Sequence, residues 1–175
     1  LGERNDLAIS MFERLANSNS SCSPSKDLVM LNEQRRMHPD ISAFPNKSFY
    51  DGKLVDFVSA EDRPPIKGID WPNRVMLFNV ANGQMEEVGT SRKNEIEAFA
   101  VLSLVKRFLS AGVPASEIAI LTPYRAQRRF LSRQLSNLVS TNTTAGNNVE
   151  SSEHQIEINT VDGFQGVERE LIIFT

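Results

Sequence analysis

The chain has 175 residues, a length suited to one domain or to one domain with part of a second. Hydrophobic residues make up 40% and charged residues 23%, ordinary for a globular protein, and the formal net charge of -3 excludes a globally basic binder of polyanions. Any nucleic-acid site must come from local clustering of the 19 basic residues, and the single cysteine, Cys22, excludes an internal disulfide and a cysteine-based metal cluster.

The opening stretch LGERNDLAISMFERLA puts Leu7, Ile9, Phe12 and Leu15 on one face of a short amphipathic helix. It lacks the order of a signal peptide, and no 18-residue apolar run follows anywhere, so neither secretion nor a membrane partner is expected. With a lone cysteine this points to an intracellular, reducing compartment. Both the opening and the closing ELIIFT break off inside a pattern, so the chain reads as a fragment. The polar run NSNSSCSPSK reads as a loop, residues 28–31 (LVML) as a strand, and PDISAFPNKSFYDGKL as helix and turns. Residues 59–74 are rich in Pro and charge and read as irregular, whereas RVMLFNV at 74–80 predicts a strand.

From Asn94 to Leu109, the apolar residues Ile96, Phe99, Leu102, Val105 and Leu109 recur at three- or four-residue spacing and predict a helix packed on one face. Asn94 with Glu97 resembles a capping box, and Glu95 and Glu97 suit the positive helix start. EIAILT at 117–122 predicts a buried strand, followed by a helix over roughly 124–139. STNTTAGNNVESSEH reads as a polar loop, and IEINTV and ELIIFT as two further strands. Strands alternating with long helices predict an α/β fold with a parallel sheet flanked by helices on both faces.

In such sheets ligands collect at the carboxyl ends of strands, where helix starts expose N–H groups. ILTPYRAQRR offers Thr122 and Pro123, either a plain helix cap or a grip on a backbone phosphate, with Arg125, Arg128, Arg129 and Arg133 behind. INTVDGFQGVERE offers Thr160 and a turn in which Gly163 and Gly166 hold Gln165 ahead of Glu168. This is either a simple turn or a loop that reads ribose and phosphate. NEQRRMHPD offers Arg36, either a structural partner for a carboxylate or a planar, permanently charged fork reaching a terminal phosphate. His38 before Pro39 reads first as a helix cap, and no metal site is visible. Neither GxxxxGK[ST] nor GxGxxG occurs, so the chain has no phosphate loop of its own.

Taken in order and spacing, these motifs resemble those of superfamily 1 helicases of the up-frameshift (nonsense-mediated decay) and senataxin type. The family's Q-Y-R-M-H-P segment is matched by Gln34, Arg36, Met37, His38 and Pro39, with Phe44-Pro45, Phe49-Tyr50, Gly52 and Leu54 behind it. Its GTS..N..EA is matched by Gly89-Thr90-Ser91, Asn94, Glu97 and Ala98, and its TPY..Q by Thr122-Pro123-Tyr124 and Gln127. Its VD.FQG.E is matched by Val161-Asp162, Phe164-Gln165-Gly166 and Glu168.

The resemblance implies a RecA-like fold, with the tail of a first motor domain at 1–33 and a second motor domain at 34–175, cut before its last motif. It implies ATP and Mg2+ as cofactors of the full-length protein, none held by this fragment alone, which is expected to be inactive by itself. Arg36 would contact the γ-phosphate, Gln165 would lie at the domain interface, and Glu168 would bond the ribose. Gln34 and Arg35 would complete the nucleotide contacts, Arg35 standing where the family has a base-stacking tyrosine. A guanidinium plane also stacks on a base. Thr122, Pro123 and Thr160 would touch the backbone of single-stranded RNA or DNA. Implied partners are that strand, the first motor domain, and decay or transcription-termination factors, in the cytoplasm or nucleus with the cytoplasm favoured. The alternative is a catalytically degenerate helicase-like module that binds nucleic acid or protein.

Overall fold

A computed structural model describes residues 9–18, 29–66, 68–71, 73–142 and 155–175. Of the loops expected at 17–26 and 140–154, residues 17–18 and 140–142 instead continue helices, and 19–26 and 143–154 lie outside the described residues. The chain divides into two compact units, Leu1–Arg63 and Pro64–Thr175.

In the first unit, α1 (Met11–Ser18) begins where Ser10 Oγ accepts a hydrogen bond from Glu13 N at 3.0 Å. The strand expected at 28–31 is not there among its described residues. Pairing starts instead at β1 (Glu33–Gln34), which runs parallel to β2 (Val55–Asp56) with Gln34 opposite Asp56. The apolar run cannot carry the ladder because its side chains have nothing to cover them: Val29, Met30 and Leu31 are all exposed. Between the two strands, α2 (Pro39–Phe49) has Pro39 in its first turn and His38 as its cap, the His38 Nδ1 accepting from Asp40 N at 3.0 Å. The chain then turns through Asp51 and Gly52, both at positive φ. Asn46 holds that turn closed, its side chain accepting from Leu54 N and donating to Leu54 O, each at 2.9 Å.

In the second unit the expected strand at 74–80 does not form. Val75, Met76, Leu77 and Phe78 are exposed, Leu77 at 96%, and none is laddered to a neighbouring strand. A β-prone sequence without a partner strand leaves its backbone groups unpaired, so propensity alone does not make a strand. The segment is anchored through Phe78 on Trp71 (ring centroids 5.4 Å apart), and Trp71 packs edge-on against Phe108 (5.1 Å).

A hairpin follows, β3 (Glu86–Val88) against β4 (Ser91–Lys93), turning at Gly89. Helix α3 (Glu95–Ser110) starts at the expected cap, Asn94 Oδ1 accepting from Glu97 N at 3.1 Å. The reciprocal half of the capping box is supplied from elsewhere: Asn94 N donates to Gln127 Oε1 at 2.8 Å. Then come β5 (Ile118–Thr122), α4 (Arg125–Asn142), β6 (Glu157–Thr160) and β7 (Leu171–Phe174). The three strands form an all-parallel sheet in the order β6-β5-β7.

The core of this unit joins Ala98, Val101, Leu102, Val105 and Phe108 of α3 to Ile118 and Ile120 of β5, Leu131 of α4 and Ile173 of β7. Ile120 and Ile173 are register partners, so they share one face of the sheet. The opposite face of β7 carries Ile172 and Phe174, both exposed, so helices cover one face there rather than both. The α/β class with a parallel sheet flanked by helices is as expected.

Candidate functional site

The carboxyl tips of β5 and β6 lie side by side, with Thr122 and Thr160 in register. Thr122 is fully buried, and its hydroxyl accepts from Tyr124 N at 3.3 Å. The helix therefore starts two residues later than Pro123, and its first turn is capped across the fold: Ser91 Oγ accepts from Ala126 N at 3.0 Å. The exposed atoms of this tip belong to Pro123 and Tyr124.

Gln127 sits behind them, 2% exposed. Besides accepting from Asn94 N, it donates to Asn94 O at 3.2 Å and to Thr175 Oγ1 at 3.4 Å. It thus ties the starts of α3 and α4 to the end of β7. Beside the tip lies a cavity of about 390 Å³ lined by Arg92, Lys93, Pro123, Tyr124 and Phe174 among others. Its lysine is committed to carboxylates: Lys93 Nζ lies 2.5 Å from Glu95 and 3.0 Å from Glu86. Those two bonds, Glu95 first, raise the Lys93 pKa above its ordinary value.

From the β6 tip the chain enters a short turn, Asp162–Phe164, whose Phe164 is buried and anchors it. Asn159 fastens the turn, accepting from Thr160 N at 2.9 Å and donating to Gly163 O at 3.0 Å. A methyl group at Gly163 would run into the Asn159 side chain. Arg128 of α4 reaches the same Asn159 oxygen at 3.4 Å, linking the two strand tips. Gln165 follows, exposed, before Gly166 at φ +83, a backbone conformation that glycine adopts without strain. Glu168 is exposed on the stretch leading to β7. Thr122, Pro123, Thr160, Gln165 and Glu168 thus belong to two neighbouring strand tips and the loop after the second.

Gln34, Arg35 and Arg36 lie in the first unit. Arg36 is exposed, and its backbone N–H is bonded to Gln34 Oε1 at 2.6 Å. The Arg35 guanidinium sits over the Phe57 ring, 3.7 Å from its centroid, and bonds Glu33 Oε2 at 2.6 Å. Gln34 is 8% exposed and turned into its own loop. Among the described residues no group of His, Cys, Asp or Glu is arranged to hold a metal ion, and no helix is long and apolar enough to cross a membrane.

Sequence reasoning did not single out Ser91, Asn159 or Asp56. Ser91 stands inside a quoted motif and carried that signal. Asp56 acts on partners that only the folded chain brings near, and Asn159 meets Arg128 in that way while also bonding its chain neighbours Thr160 and Gly163.

Residues 7–175 match the AAA_12 family model, described as an AAA domain. The chain is 40% identical over 179 residues to a regulator of nonsense transcripts 1 homolog of Arabidopsis thaliana, covering 98% of this chain and 13% of that protein. It is 40% identical over 149 residues to the Drosophila melanogaster homolog, covering 83% and 12%. To the 5'-3' DNA helicase ZGRF1 of Mus musculus it is 31% identical over 171 residues, covering 98% and 8%. The chain therefore spans only 8% to 13% of the length of these curated relatives.

Proposed function

We propose, on the premise that this chain belongs to the AAA_12 domain family, the C-terminal helicase domain of superfamily 1 helicases of the up-frameshift type, that it serves as the second motor domain of an ATP-dependent RNA or DNA helicase. The observation that carries this reading is the pairing of Thr122 with Thr160, which sets two loop-bearing strand tips side by side at one end of a parallel sheet.

In this reading the tip shaped by the buried Thr122, through its exposed Pro123, and the tip at Thr160 hold the sugar-phosphate backbone of a single strand. Contacts of that kind are indifferent to base sequence. Arg36 offers a planar cation to the terminal phosphate of a nucleotide held on a first motor domain. Gln165, presented by the Gly166 turn, faces that domain across the cleft, and Glu168 accepts hydrogen bonds from the ribose. Arg35 provides a flat cationic surface for the base, and Gln34 acts on the nucleotide through the loop it holds. The exposed arginine, amide and carboxylate suit phosphate and ribose contacts, and Mg2+ would be held by residues of the first domain. When bound, ATP supplies the phosphoryl transfer whose energy opens and closes the cleft. The residues of this chain orient the nucleotide and grip the strand. The names of the relatives, regulators of nonsense transcripts and a DNA helicase, support RNA and DNA alike as the strand, and decay or transcription-termination factors are the partners that the family resemblance implies.

The test is nucleic-acid-stimulated ATP hydrolysis by the intact protein. Arg36→Ala is expected to lower kcat by about 10³-fold or more, the usual worth of an arginine finger. Hydrolysis untouched by that change would remove the assignment. A second reading, a degenerate module that binds nucleic acid or protein without turnover, rests on Arg35 and its engagement with Glu33 and Phe57. It predicts binding of a single strand with no stimulated hydrolysis.

A further inference from the structure

A glutamine amide has two acceptor positions and two donor positions, and Gln34 uses all four within the first unit. Its Oε1 accepts from Arg36 N at 2.6 Å and from Met37 N at 2.5 Å. Its Nε2 donates to Met37 O and to Asp56 Oδ1, each at 2.8 Å. The side chain has no capacity left for a ligand.

Asp56 is held in turn. Its Oδ1 also accepts from Ser42 Oγ at 2.6 Å, and Ser42 is fully buried on α2, where its hydroxyl is also within bonding distance of Pro39 O (3.1 Å). The bond from Gln34, then that from Ser42, keeps the Asp56 carboxyl below its ordinary pKa, with nearby His38 adding to the effect against the opposing cost of desolvation. The parallel register that sets Asp56 opposite Gln34 follows the turn closed by Asn46. A continuous polar path therefore runs from α2 through Ser42, Asp56 and Gln34 to the peptide N–H groups of Arg36 and Met37.

We propose that Gln34 and Asp56 are positioning residues for Arg36, fixing the backbone from which its guanidinium is aimed. This rests on the reading of Arg36 as the phosphate-contacting arginine. Arginine has a long, flexible stem, so the direction it can reach is set first by where its Cα is held. The peptides at 36 and 37 lie in a bend, outside any ladder, and would take other partners if the amide were removed. A displacement on the order of 1 Å in a catalytic group costs up to about 100-fold in rate.

The experiment measures kcat, the KM for ATP and single-strand affinity in the intact protein. Gln34→Ala and Asp56→Ala are each expected to lower kcat by roughly 10- to 100-fold with the KM for ATP nearly unchanged. Asp56→Asn keeps a carbonyl oxygen for both Gln34 and Ser42 and is expected to restore most of the rate. In the double variant Gln34→Ala/Arg36→Ala, turnover should be no slower than in Arg36→Ala alone, because one residue acts through the other. Losses that multiply, or a Gln34→Ala variant with unaltered kcat, overturn the positioning role while leaving the finger reading intact. An Arg36→Ala variant with unaltered kcat overturns the finger reading itself. If a thermal melt shows that Gln34→Ala unfolds, Ser42→Ala decides: a kcat lowered about threefold, the worth of one hydrogen bond, supports the path, and an unchanged kcat overturns it.

Discussion

In the first unit the buried side chains among the described residues are Gln34, His38 and Ser42, while Phe44, Phe49 and Phe57 are exposed. In the second unit they are mostly apolar, drawn from α3, β5, α4 and β7 around Phe108 and Ile120. The difference lies in what each kind of burial specifies. Apolar contact is non-directional and scales with area, so it secures the sheet without fixing any one atom tightly. Hydrogen bonds contribute less each but constrain distance and angle. The unit bearing Arg36 is built on the second kind, and aiming one side chain calls for direction more than for area.

The strongest way to sharpen this contrast is Phe108→Ala. It removes a ring that is 1% exposed and packed on Trp71, and is expected to cost about 3–5 kcal/mol, as for other buried aromatics. Denaturant unfolding followed by Trp71 fluorescence would read it, and a loss well under that range would show that the apolar cluster is not the main support.

A smaller effect is expected from Asn46→Ala, which strips both partners from the Leu54 backbone. The expected cost is about 1–3 kcal/mol, localised to the first unit. Hydrogen exchange should quicken at Leu54 and Val55 while the amides of β5 and β7 keep their protection. Matching losses in the second unit would break the comparison.

Acidification should have the mildest consequence. The folded pKa of Asp56 is depressed, so its contribution is fully present above the unfolded value of about 4 and fades as pH falls through the lower folded value. The Gln34 side-chain amide resonances should then move before those of Gln127, which bonds the Asn94 backbone and the Thr175 hydroxyl rather than a carboxylate. Simultaneous movement of both amides would contradict a local effect. Asp56→Asn should abolish the shift at Gln34.

Much of this was legible in the chain. The spacing of Leu102, Val105 and their neighbours fixed α3, the apolar run at 118–122 became β5, and Asn94 capped its helix as its type and position implied. The His38-Pro39 pair read correctly as a helix start. Two strand readings failed for one reason: the described residues of the runs at 28–31 and 74–80 are β-prone but have no laddered neighbour among the described residues, and a strand exists only with its partner. At the candidate site, the loops were legible from Gly163 and Gly166, but the fastenings were not.

By itself the sequence determined the elements whose signals are local, meaning periodicity, caps and turn glycines, together with the motifs that place the chain in its family. Only the tertiary structure decided that Ser91 caps α4 from 35 residues away, that Gln127 completes the cap of α3 from 33, and that Asp56 anchors Gln34 from 22. Near-neighbour interactions are encoded wherever the residues stand together in the chain. A polar side chain can bond many distant groups, and which one it meets is settled by how the elements pack.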